Sequence, residues 1–420
     1  MSQWFDNALA RAESVDDWLA PARQHSLQLL KTTPWPNRKT EAWKYTSLKP
    51  LADSELSVSP PVSKVPLETL ETLAIDGLEC IDILFVDGRP AGDLPGDLPE
   101  GVTLTALSDN SQGWVREKFA RVKPERHLFG LVNDVLAIDG VVIDIADGVK
   151  LDRPLRIASL MNAGCEAHLR LIVRLGKGAA ATVLEQFAGS DSSFITGVAE
   201  FEIGEGAALE HYRFALQTGA ALSVGGDHFR LGTNAQLNSN LVGFGSQLSR
   251  LDVDVYHAGE HARAELNAIY LLDGNERFDL HSAIEHAVPH CNTEEKVRGI
   301  VGGSSRAVFN GRIHIHRHAQ KTVAELNNLN LLMSRDAEVD TKPELEIYAD
   351  DVRCAHGATI AEIDKKSLYY LQSRGISRTQ AQVMLSFGFI NELVNDMPNE
   401  ALAEWLRPLL RERFEQMQVV

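Results

Sequence analysis

The sequence has 420 residues, 44% of them hydrophobic, enough to bury a sizeable core and too many for a disordered chain. Its formal net charge of −17, with no Lys/Arg run to offset it, argues against nucleic acid as a partner. The longest apolar runs, such as Gly140-Val141-Val142-Ile143, fall far short of the ~20 residues a membrane span requires, and Met1-Ser2-Gln3-Trp4-Phe5-Asp6 has no signal-like leader; a cytoplasmic protein is expected.

Residues 1 to about 60 read as helical. Ser14-Val15-Asp16-Asp17 has the form of a helix start, the run through Leu30 has helical apolar spacing, and Pro34-Trp35-Pro36 ends it. An aromatic and basic stretch follows, Arg38 to Thr46, and then a mixed α/β section from about 60 to 130. That section holds Pro-rich linkers and one strand candidate, Ile81-Asp82-Ile83-Leu84-Phe85-Val86, closed by Asp87-Gly88.

From about Gly140 to Val352, short β-branched runs alternate with glycine turns, and an internal repeat is present. Gly-x-x-Ala recurs as Gly176…Ala179, Gly204…Ala207, Gly232…Ala235 and Gly259…Ala262, at spacings of 28, 28 and 27 residues. A later pair, Ala307 and Ala337, is 30 apart. Units of this size with strand-like patterning cannot each bury an apolar face alone, whereas stacked coils share one continuous core. A parallel β-helix is therefore expected, against the alternative of a sandwich whose strand spacing happens to match.

The last segment is helical. Asp364 is placed to cap a helix through Leu368, Tyr369, Tyr370 and Leu371 to Arg374, and Gly375 is its natural stop. Ser377 with Gln380 forms a capping box for a second helix through Met384, Leu385 and Phe387 toward Leu393. Pro398 starts a third. The first two form a hairpin suited to a partner's groove or to covering one end of the solenoid. Three regions follow: 1–130 helical and mixed, 131–360 β-helix, 361–420 helical and partner-docking.

The common enzyme signatures are missing. Leu175-Gly176-Lys177-Gly178 lacks the first glycine and the hydroxyl of a P-loop, so no ATP site is expected; Gly-x-Ser-x-Gly, His-Glu-x-x-His and a dinucleotide fingerprint are absent too. Cys80, Cys165, Cys291 and Cys354 are scattered without a CxxC pair, which argues against a disulfide framework and against a metal site built from cysteine alone.

Three clusters remain as metal candidates. His314, His316 and His318 share one face if their segment is a strand, but the first acid after them, Glu325, comes late; a solvated strand face is the other reading. His286 and His290 resemble a ligand pair by composition, with Pro289 arguing for a loop. Cys354 and His356 stand at i and i+2, on one face of an extended strand, a thiol and an imidazole suited to iron. Two ligands do not complete a site, and a buried cysteine beside a structural histidine is the alternative.

The stretch from Lys342-Pro343-Glu344-Leu345-Glu346-Ile347-Tyr348-Ala349-Asp350-Asp351 through Cys354-Ala355-His356-Gly357-Ala358-Thr359, with Leu368 to Ile376, closely resembles the SufB/SufD family of iron–sulfur cluster assembly scaffold proteins. Phe309-Asn310-Gly311-Arg312, Asn330-Leu331-Leu332-Met333, Glu285-His286 with Pro289-His290, and Glu41-Ala42-Trp43-Lys44-Tyr45-Thr46 carry the same resemblance. SufB-type members have a cysteine where this chain reads Asn327-Asn328-Leu329-Asn330, and Glu-His-Glu where it reads Cys354-Ala355-His356-Gly357; the chain is similar to the SufD-type members.

The resemblance implies a mainly β protein, a right-handed parallel β-helix flanked by N-terminal and C-terminal helical regions. It implies a non-catalytic scaffold subunit that pairs with a SufB-type subunit and a SufC-type ATPase, in which hydrolysis resides. Under it, His356 and Cys354 face the SufB-type partner and hold iron or a transient, shared Fe–S cluster. The hairpin docks the ATPase through Leu368, Tyr369, Tyr370, Leu371, Arg374, Gly375, Met384 and Phe387. The alternatives are a self-contained metal-binding homodimer using His314 and His316, and a β-helix enzyme acting on polysaccharide. The enzyme reading fits poorly, because Asp252 and Asp254 offer only one acid pair and no leader is present.

Overall fold

A computed structural model describes residues 2–58, 73–109 and 113–417; the start of the Pro-rich linker expected from about residue 60 lies outside them. Strands alternate between two ten-stranded sheets, and from Asp139–Ile145 onward each strand pairs in parallel with the next but one. The result is a parallel β-solenoid of about eight turns with helices at both chain ends. Ala208 is the register partner of both Ala180 and Gln236, and Gln236 that of Arg263, so the spacings of the Gly-x-x-Ala repeat are the lengths of successive coils. The pair Ala307 and Ala337 is not such a step. Ala307 pairs with Val339, because the turn before Glu338 is longer and this coil has 32 residues.

The repeated glycines owe their place to crowding between coils. A Cβ on Gly204 would stand 2.7 Å from the Leu175 carbonyl oxygen, and one on Gly259 would stand 1.9 Å from the Thr233 nitrogen. Each turn thus rests directly on the backbone of the turn before it. The repeated alanines Ala179, Ala207, Ala235 and Ala262 are fully buried at the corners, and Cys291 occupies the same corner position one coil later, ahead of Asn292. Between the sheets, alternate side chains interdigitate; the register partners Phe201 and Phe229 stack at 4.8 Å. Each such buried side chain contributes ~1.5–3 kcal/mol.

Helices cover much of both outer faces, which explains why the central strands are buried on both sides rather than alternating buried and exposed. On the first sheet lie Gln3–Ala12, Ala20–Thr32 and the wholly buried Leu128–Leu136. The helix expected from Ser14 begins only at Ala20. Ser14 Oγ donates instead to the Arg11 carbonyl, closing the preceding helix, while Asp17 accepts from the Leu19 N–H and pairs with Arg23. Beneath these helices Arg170 is fully buried between Asp134, at 2.9 Å, and Glu200. Glu200 also accepts the backbone N–H groups of Ala120, Val122 and Lys123, so none of these buried charges is left unpaired.

On the second sheet lie Arg378–Asn395 and Glu400–Gln416, whose Ile390, Leu393, Leu402, Leu406 and Leu410 bury against Tyr212, Phe214 and Val242. The Ser377–Gln380 capping box is present; Asn399, not Pro398, caps the last helix.

The two ends of the solenoid differ. The first coils close with short antiparallel pairs, Ile81–Val86 with Arg89–Pro90 and Val102–Ala106 with Asp139–Ile145. The last strands, Glu338–Ile347 and Arg353–Glu362, are full-length, lie at the sheet edges and contain no buried residue. Ile347, Tyr348 and Ile360 are 41%, 60% and 43% exposed there.

Crowding at the stacked turns predicts that Gly259→Ala costs about 3 kcal/mol. Gly388→Ala, in an exposed helix position with nothing within 4 Å, is expected to gain about 0.5–1 kcal/mol. Urea unfolding midpoints moving in opposite directions check the pair; equal shifts would refute the stacking argument.

Candidate functional site

Cys354 and His356 lie on Arg353–Glu362, the last strand of the second sheet. Their register partners, Ala324 and Leu326, point into the core, so both side chains face the inner side of the open last coil. Cys354 is half-buried against that core, and burial pushes its thiol pKa up despite a backbone hydrogen bond from Ala324. His356 is exposed and makes no hydrogen bond or ion pair among the described residues. The pair therefore offers a protonated thiol and a free imidazole at the mouth of the solenoid, with room for groups from outside the chain.

Next in the chain is the helix Lys365–Ser373, capped by Asp364 through the N–H groups of Lys366 and Ser367 and ended by Gly375 at φ +85°. None of its residues is buried. Tyr369 is 74% exposed; Tyr370 and Met384 are exposed, and Leu368, Leu371 and Phe387 are half-buried. The Arg374 guanidinium lies over the Tyr370 ring at 5.2 Å. The hairpin thus presents aromatic and apolar side chains to solvent rather than spending them on its own core.

The histidines separate by face. His286 points inward, is fully buried and stacks at 4.3 Å on its register partner His257; their Nε2 atoms share the Thr293 hydroxyl at 3.2 and 2.9 Å. Burial lowers the His286 pKa to about 4. His290, four residues on, is in a turn at φ +63° and stacks on His261, so the pair read as adjacent by composition is divided between core and surface. His314 and His316 stack at 4.3 Å on the outer face, and His318 lies apart in the following turn. The carboxylate missing after these histidines comes from the previous coil: Glu285 Oε2 is 2.6 Å from His314 Nδ1 and 2.9 Å from His316 Nε2.

Two further clusters have no local signature. Glu185, His211 and Asp227 meet inside the solenoid, but Arg213 lies among them, 2.6 Å from Asp227 and 3.3 Å from Glu185, in the place a cation would take. On the outer face, Asp254 accepts from His127 and His228, at 2.7 and 2.8 Å, and also pairs with Arg126. Glu185 and Arg213 are register partners, so aligning the sequence by coil length is the signal that would have found them.

Fold and site define a class: a two-sheeted β-solenoid with Cys354 and His356 on the last strand at its open end. A model of the SufBD protein N-terminal region matches residues 4–157, and a model of the SUF system FeS cluster assembly SufBD core domain matches residues 159–389. The chain is 34% identical over 402 residues to the iron–sulfur cluster assembly protein SufD of Escherichia coli, covering 94% of this chain and 92% of that one. It is 27% identical to a SufBD family protein of Synechocystis, over 93% and 90% of the two chains. With SufD of Bacillus subtilis it shares 23% identity over 95% and 94%. The chain belongs to the SufB/SufD family, on its SufD side, and has a role in iron–sulfur cluster assembly. No helix among the described residues is long and apolar enough to cross a membrane.

The His127 contact predicts a pH dependence. Burial pulls its pKa down, but Asp254 and Asp252 outweigh burial and raise it from 6.5 to about 9. Because the folded value lies above the unfolded one, the stabilisation is complete below about 6.5 and is lost as pH rises through about 9. It amounts to a few kcal/mol at most. Urea stability of the wild type should fall over this window, and His127→Gln should flatten the fall.

Proposed function

We propose that this chain is a non-catalytic scaffold subunit whose open last coil pairs with a SufB-type subunit, and that Cys354 and His356 supply ligands to iron or a nascent cluster shared across that interface. The observation that carries this reading is the asymmetry of the solenoid. One end is closed by short antiparallel pairs; the other leaves two ten-residue strands with open edges and exposed Ile347, Tyr348 and Ile360. A long unpaired edge recruits another strand unless something blocks it. Two ligands leave about half of a tetrahedral site to be filled from outside the chain. In the isolated chain, the same edges are open to a second copy of itself. The half-buried Cys354 thiol has to lose its proton to bind iron, and a nearby cation or metal favours that loss.

A SufC-type ATPase, in this reading, docks on the hairpin formed by Lys365–Ser373 and the start of Arg378–Asn395. Tyr369, Tyr370 and Met384 are the anchors, because exposed aromatic and methionine side chains on a capped helix form a ready-made apolar contact. The ATPase would supply the hydrolysis for which the sequence has no P-loop.

Two measurements test the halves separately. Co-expression with SufB-type and SufC-type partners should give a His356→Ala complex that assembles normally but carries much less iron and acid-labile sulfide. Unchanged cluster content would show that the partner builds the site alone. Tyr369→Ala with Tyr370→Ala should weaken binding to the isolated ATPase at least about tenfold without altering the fold. Retained affinity would move docking elsewhere.

A further inference from the structure

On the outer face of the first sheet, one coil before the open end, Glu285, His314 and His316 converge. Their coordinating atoms lie within 4.8 Å of one another, and the three side chains are 23%, 19% and 42% exposed. Glu285 and His314 are register partners on adjacent strands, so the solenoid itself sets their spacing.

From this arrangement we infer a second metal site, an exchangeable divalent-ion site of the two-histidine, one-carboxylate type, that accepts ferrous iron. Three observations support it. First, the contacts of Glu285 Oε2 with His314 Nδ1 and His316 Nε2, at 2.6 and 2.9 Å, are within a few tenths of an ångström of the ~3 Å between neighbouring ligands on a first-row ion. Second, the carboxylate is held for one-oxygen binding. Arg312 donates to Glu285 Oε1 at 2.7 Å and is itself fixed by two bonds to Glu346, at 2.8 and 3.0 Å, leaving Oε2 to face the imidazoles. Third, the site is half-open: three protein donors on one side and solvent on the other leave positions through which an ion can enter and leave.

The donor set selects among ions. Two imidazoles and a carboxylate suit borderline divalent metals rather than Ca²⁺ or Mg²⁺, which take oxygen ligands. Without metal, the carboxylate oxygen accepts an N–H from each imidazole. Binding requires each imidazole to turn a lone pair toward the ion, its N–H moving to the other ring nitrogen, and only an imidazole carrying both protons has to release one. The buried His257–His286 pair is the competing candidate, but it lies inside the core with both Nε2 atoms already hydrogen-bonded to the Thr293 hydroxyl.

That the natural cargo is iron rests on the proposed role in cluster assembly; that an ion binds here does not. The test uses the full chain alone under anaerobic conditions, titrated with Co²⁺, whose visible absorption reports coordination, and then with Fe²⁺. One ion per chain is expected. Glu285→Gln and His316→Ala should each weaken binding at least tenfold, while His318→Ala, in the exposed turn beyond the site, leaves it unchanged. Circular dichroism controls for folding, and His316 is exposed enough that its replacement should leave the fold intact. The inference is overturned if the wild type shows no saturable binding, or if both site variants bind as tightly as it does. It is also overturned if only His356→Ala abolishes binding. Failure of the scaffold reading would show instead in the cluster content of the His356→Ala complex.

Discussion

In-register parallel pairing between successive coils is the constraint on which the rest of this structure depends. A parallel strand has no hairpin partner, so every coil must return to the same register before its backbone groups are satisfied. That requirement sets the coil length and brings each turn down onto the one before. Gly204 and Gly259 sit where even a single Cβ would collide with backbone, and the fully buried corner alanines leave little room for larger side chains. Cys291 is the instructive member of the corner series: fully buried and one position before its strand, it stands where earlier coils carry alanine.

The same stacking places side chains from neighbouring coils side by side, and the polar chemistry of the chain is arranged along these rungs. Glu185 meets Arg213, His257 meets His286, and Glu285 meets His314, each pair in register on adjacent strands. Whether a rung becomes structural or chemical depends on which way it points. Inward, burial suppresses charge: it pushes Asp227 up to about 6 and His211 down to about 4. Outward, where no helix covers the sheet, as at Glu285 and His314, the same residue types keep contact with solvent. Coverage, by the opposite sheet or by a helix, thus divides buried polar ladders from solvent-accessible ones.

Where stacking stops, the constraint becomes an opening. The last coil has neither a following coil nor a covering helix among the described residues, and it carries Cys354 and His356. Its exposed apolar side chains and free strand edges are the features that stable isolated proteins suppress. The exposed helix Lys365–Ser373 follows immediately in the chain. Cys354, His356 and the exposed apolar surfaces therefore lie within one short stretch of sequence.

Local signals were legible in the sequence wherever a residue's partner is close along the chain. The Asp364 cap, the Gly375 stop, the Ser377–Gln380 box and the alternation that sets Cys354 and His356 on one face all follow from spacings of a few residues. The coil length was legible too, because the crowded glycine turns repeat it. Ser14 misled because its hydroxyl serves the helix before it, a choice between two local bonds that spacing does not decide. What the sequence by itself determined was thus the elements, the solenoid period and the family. Only the tertiary structure decided that Glu285 completes the His314–His316 pair, that His286 and His290 part company, and that the last coil stays uncovered. These contacts join residues about a coil apart, and which coil faces, covers or abandons another is fixed by packing rather than by any local preference of the chain.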